Sequence, residues 1–87
     1  MEQHEIIAAY FALPDARPAA AVARDVKVSP SVLYQWKKGL RPVPTDYGAS
    51  LERATGGAVP RHRMWPNTWA AIWPELATTQ AAKAADV

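Results

Sequence analysis

Cysteine is absent from these 87 residues, which excludes a disulfide framework and any thiolate metal site. Histidine is scarce: His4 and His62 lie in different segments with no i, i+4 pairing, so no metal centre is expected. No apolar run approaches the ~20 residues that cross a bilayer. The opening residues intersperse Glu2, His4 and Glu5 with apolar side chains and carry no basic leader, so neither a signal peptide nor a membrane span is expected. A soluble, cytoplasmic protein is the expectation. No segment alternates apolar and polar residues between hairpin turn signals, and there is no internal repeat. A nucleophile–base pair, a phosphate loop and a carboxylate dyad are also missing, so no enzyme activity and no cofactor are expected.

What remains is a helical pattern in a single small domain, expected over 1–76, with an Ala/Thr/Gln/Lys-rich tail over 77–87 expected to fray. Ile6, Ile7, Tyr10 and Phe11 form one apolar stripe and predict a helix over 3–12, ended by Pro14. Pro18 opens an alanine-rich second helix, 19–26, with Val22, Ala23 and Val26 inward. Ser29 is a good N-cap and Pro30 a good first residue for a third helix, 30–38, with Val32, Leu33 and Trp36 apolar and Gly39 as its stop. A fourth begins at Pro44 or Thr45 and runs to Ala54, burying Tyr47, Leu51 and Ala54; Gly48 weakens it by about 1 kcal/mol relative to alanine. Pro60 and Pro66 each start a short turn. Trp65, Trp69 and Trp73, at i, i+4, i+8, fall on one side of a helix that Pro74 ends.

Helices two and three, "AAAVARDVKVSPSVLYQWKKG", have the spacing of a helix-turn-helix. Ala23 is small where the next helix crosses. Val22, Val26, Val28, Leu33 and Trp36 lock the crossing. Ser31, Tyr34, Gln35 and Lys38 are left on the outer face. Glutamine bonds adenine bidentately in the major groove; serine, lysine and tyrosine reach bases or phosphates. Ser29, Ser31, Tyr34, Gln35 and Lys38 are therefore candidate base readers, and Arg24, Lys27, Lys37 and Arg41 candidate phosphate contacts. Net charge is only +2, but residues 17 to 41 hold six basic side chains against Asp25 alone, the footprint of a polyanion partner. Asp25 sets one negative charge near that face. Lys27 occupies a turn position that commonly takes φ > 0, where lysine costs roughly 1 kcal/mol.

"VARDVKVSPSVLYQWKKG" followed by "VP", "LERATGG" and "RMWPNTWAAIWPEL" resembles the Cro-like, YdaS-type regulators of prophages and bacterial genomes, also described as antitoxins. The resemblance spans residues ~18 to 76. It implies an all-α, compact bundle of about five short helices, lambda repressor-like or Cro-like, that binds a double-stranded DNA operator as a homodimer and represses transcription. Lys27 stands where the family usually has glycine, and Asn67 where it usually has an acid. The antitoxin description implies a toxin protein as a further partner. The competing expectation is a protein-interaction module that uses Trp65, Trp69 and Trp73 as a partner or dimer surface.

Overall fold

The computed structural model describes residues 2–76, so the expected fraying of 77–87 falls outside the described residues. The chain is all-α. It runs α1 (Gln3–Phe11), α2 (Ala19–Val26), α3 (Pro30–Lys38), a 3-10 turn (Thr45–Tyr47) leading into α4 (Gly48–Ala54), α5 (Arg61–Met64) and α6 (Trp69–Ile72). No strand occurs among the described residues.

Local chemistry explains the ends of these elements. Glu2 and Glu5 form a reciprocal capping box at the start of α1, with the Glu2 N–H donating to Glu5 Oε1 at 2.9 Å. Ser29 Oγ accepts the Val32 N–H at 3.2 Å, and Pro30 fills the first turn of α3. Gly39 closes α3 in the left-handed region (φ 75°). The predicted fourth helix differs at its start, where residues 45–47 tighten into the 3-10 turn before Gly48 continues as α-helix.

α1 lies across α3, and α2 packs against both α3 and α4. The apolar faces read from helical periodicity bring Ile6, Ile7, Tyr10, Val22, Ala23, Val26, Leu33, Trp36, Leu51 and Ala54 into one core, which Val43, Val59 and Met64 complete; Phe11, Val32 and Tyr47, expected inward, pack on it half-buried. Trp36 is its largest member at 1 % exposure, with Tyr47 packed on it at a ring separation of 5.3 Å. Truncating such a tryptophan to alanine costs about 3–5 kcal/mol.

Arg17 links three helices through polar contacts. Its backbone N–H donates to Tyr10 Oη at 2.9 Å, and its guanidinium donates to the Ala54 carbonyl at 2.9 Å and pairs with Asp25 at 2.7 Å. The ion pair is partly solvated and screened, whereas the bond to Ala54 satisfies a carbonyl at the end of α4 that the helix itself leaves open. Arg17→Ala should therefore lose about 1–2 kcal/mol and Asp25→Asn less than about 1 kcal/mol, as read by chemical denaturation.

The C-terminal segment corrects one expectation. Trp65, Trp69 and Trp73 do not share one helix. Trp65 and Trp73 leave the helical region at ψ 67° and 74°, the first between α5 and α6 and the second after α6. Pro66 and Pro74 follow them directly, and a residue before proline is driven out of the α conformation by the ring. Trp65 and Trp73 fold back on each other at 5.3 Å and lie against Gly48, where a Cβ would stand 2.9 Å from both rings. The glycine that weakens α4 is the one residue that admits them. Trp69 turns instead to His62, edge-on at 6.2 Å.

Glu52 joins α4 to α5. Its carboxylate accepts the Arg61 N–H at 2.7 Å and the Arg61 Nε at 3.3 Å. Burial alone pushes the Glu52 carboxyl up, but the Arg61 backbone and guanidinium bonds, with the charges of Arg61 and His62, outweigh it and hold the group below the usual glutamate value. A folded pKa below the unfolded one contributes stability above the unfolded value, lost as pH falls through the folded one. Thermal melts of the wild type should decline on acidification past the ordinary glutamate range. Glu52→Gln should be less stable at neutral pH and lose less over the same acid window.

Candidate nucleic-acid interface

The three residues that join α2 to α3, Lys27, Val28 and Ser29, turn on one left-handed residue. Lys27 adopts φ 68°, ψ 41°, the conformation that the turn position calls for and that glycine adopts without strain. The Lys27 N–H bonds the Arg24 carbonyl at 3.1 Å, and the Val28 N–H reaches back to the Ala23 carbonyl at 3.0 Å. Val28 then covers the end of α2 and packs on the core. Ala23, 1 % exposed, is buried in the core that α2 and α3 share.

α3 has the two faces its sequence predicts. Leu33 and Trp36 are buried, while Ser31, Tyr34 and Lys38 are exposed, as is Ser29 at the helix start. Tyr34 is 54 % exposed, with Lys38 Nζ 5.7 Å from its ring centroid. Gln35 departs from the expected outward set: it is half-buried, and its Oε1 is enclosed without a hydrogen-bond partner. Lys37 lies on the flank toward α1, its Nζ 6.0 Å from the Phe11 ring, because at about 100° per residue it falls closer to the buried edge of α3 than Lys38 does.

Arg24, Lys27 and Arg41 are exposed. Lys27 and Arg41 border one cleft of about 280 Å³, floored by Val28, Val32, Trp36 and Tyr47. Arg24, Lys27, Lys37, Lys38 and Arg41 have no carboxylate partner among the described residues. Arg17, counted with them from the sequence, is instead committed to Asp25 and α4. That pairing also compensates Asp25, the one acid within the basic stretch 17–41.

Two features were missed in the sequence. Leu40, assigned to a linker, is 73 % exposed beside Arg41; its place just after a helix-closing glycine was the available signal. Glu2, His4 and Glu5 bring potential ligand atoms within 4.8 Å of one another. Histidine spacing at i, i+4 does not reveal such a cluster, because it holds a single histidine. Here both carboxylates already cap α1, and the histidine ring packs on Gly39.

The sequence model of a protein family described as bacterial toxin YdaS matches residues 18–72, from the start of α2 to the end of α6. The chain belongs to the YdaS family. The match takes in α2, the Lys27 turn, α3 and the C-terminal segment with Trp65 and Trp69, stops short of Trp73 and omits α1. Among curated proteins nothing matches the chain, and among solved structures nothing does either. YdaS membership places it with small proteins related to toxin–antitoxin systems. No helix among the described residues of this YdaS-family chain is long and apolar enough to cross a membrane.

Lys27→Gly separates the two consequences of the left-handed turn. Relief of strain at φ 68° should stabilise the fold by about 0.5–1 kcal/mol, partly offset by the freer unfolded glycine chain. A rise in the thermal midpoint with an unchanged circular dichroism spectrum is the expected result.

Proposed function

We propose that this protein is a sequence-specific DNA-binding transcriptional regulator, a helix-turn-helix repressor that sets α3 in the major groove of an operator. The observation that carries the reading is the outer face of α3. Ser31, Tyr34 and Lys38 stand exposed there, and Arg24, Lys27, Lys37 and Arg41 lie around it without acidic partners. Side chains of these types read base edges, and a ring of uncompensated cations supplies the phosphate grip. Ser29 belongs with the readers at the helix start.

Gln35 takes part by swinging out. Its enclosed Oε1 has no hydrogen bond to lose, so turning the amide toward an adenine exchanges an unsatisfied acceptor for a bonded one. One domain of this size reads a short half-site, and a two-fold dimer on a pseudo-palindrome in the cytoplasm is the economical arrangement.

A second reading, a protein partner within a toxin–antitoxin pair, is favoured by the family description and by Ile72, 40 % exposed on α6 beside half-buried Trp69. On that reading Trp69 and Ile72 meet the partner, and Trp65 and Trp73 hold the segment in place.

Duplex titrations at several salt concentrations test the first reading, with the DNA upstream of the protein's own gene beside random duplex. Log affinity should fall with log salt at a slope of roughly −0.9 per phosphate neutralised. Arg24→Ala and Arg41→Ala should each shrink that slope by about 1 and weaken all sequences alike. Gln35→Ala should relax preference at one base pair by about 1–3 kcal/mol. A flat slope, or no complex at low salt, would overturn the reading.

A further inference from the structure

α2 and α3 end in the same backbone motif with opposite side-chain outcomes. In each, a left-handed residue is followed by one whose N–H reaches back six residues inclusive: Val28 to the Ala23 carbonyl at 3.0 Å, and Leu40 to the Gln35 carbonyl at 2.9 Å. The apolar side chain after such a stop ordinarily folds onto the residue that accepts its N–H. For Val28 that residue is Ala23, buried and apolar, and Val28 packs on the core. For Leu40 it is Gln35, a polar side chain, and Leu40 stands 73 % exposed, the most exposed large apolar residue described.

The exposure does not come from a loose backbone. Gly39 N–H bonds the Trp36 carbonyl at 3.2 Å, and a Cβ at Gly39 would press to 3.0 Å on the His4 ring, so this turn is packed against α1. Lys37, Lys38 and Arg41 neighbour Leu40 in the chain and carry no ion pair among the described residues. An apolar side chain carried on an anchored turn, with cations on either side of it in the chain, fits a polyanion that also presents apolar groups. In duplex DNA the apolar group of the major groove is the thymine methyl.

We infer that Leu40 is a specificity-determining contact to a thymine methyl at the edge of the site read by α3. The inference rests on the DNA-binding reading and adds to it a residue that hydrogen-bond chemistry would not select. Leu40 favours thymine where the helix readers are silent, and it does so without changing the number of phosphates neutralised.

The test uses the full chain and duplexes enriched by the wild-type protein from a random-sequence pool. Leu40→Ser should leave the thermal midpoint unchanged, since the side chain is exposed, and weaken the selected duplex about three- to tenfold at an unchanged salt slope. Leu40→Met should restore most of the affinity. Replacing thymine by deoxyuridine, position by position, should weaken the wild type at one or two positions per half-site and leave Leu40→Ser indifferent there. Full affinity and an intact deoxyuridine response in Leu40→Ser would overturn the inference while DNA binding stands. Lost self-association in sedimentation, with the deoxyuridine response retained, would assign Leu40 to a second copy and equally overturn it. Failure of the wild type to bind any duplex at low salt would remove this inference together with the reading beneath it.

Discussion

The tight turn between α2 and α3 fixes where everything else stands. A left-handed lysine reverses the chain, the Val28 N–H ties back to the Ala23 carbonyl, and Leu33 and Trp36 enter the core that Ala23 shares. α1 closes the other side of α3, and α4 supports α2. Once Leu33 and Trp36 point inward, helical geometry leaves Ser31, Tyr34 and Lys38 no direction but outward. The exposed face of α3 is thus a by-product of burying the opposite one, and its rigidity is that of the core.

Charge is distributed by the same logic. The basic run between residues 17 and 41 is not uniform: Arg17 serves the fold, bridging Tyr10, Asp25 and Ala54, whereas the cations of the turn and of α3 pair with no described carboxylate, Lys37 and Lys38 meeting only the rings of Phe11 and Tyr34. Asp25, which on paper opposes an anionic ligand, is absorbed by Arg17. The protein thereby presents around α3 positive charge that is ion-paired to no described carboxylate, although its net charge is only +2 and Glu2 shares a cleft with Arg41. Lys27 adds to this field from a backbone conformation that favours glycine.

Much of this was legible in the sequence because it depends on local chemistry. Ser29-Pro30 and Gly39 set the ends of α3, and the periodic apolar positions named the buried faces of α1 to α4. Three things were not legible. The Arg17 bond to Ala54 spans 37 residues, and no local pattern encodes it. The three tryptophans obey helical spacing, but the prolines after Trp65 and Trp73 break the helix that spacing implies, and only the folded chain shows the two rings tilted together over Gly48. Gln35 occupies an outward register position, yet its amide is drawn in by surroundings that periodicity does not describe.

The seat of Trp65 and Trp73 over Gly48 depends on a missing atom: two indoles occupy the volume that any other residue would fill. Attachment of this kind is mainly apolar, with the Arg61 guanidinium over the Trp73 ring at 5.3 Å, and excluded salts such as sulfate tighten its apolar part. The flank of α3 is held ready by charge, and the same salts screen it. The two faces of the molecule thus answer the ionic environment in opposite senses, so conditions that seal the tryptophan cover most firmly are those in which α3 exerts the least pull on an anionic partner.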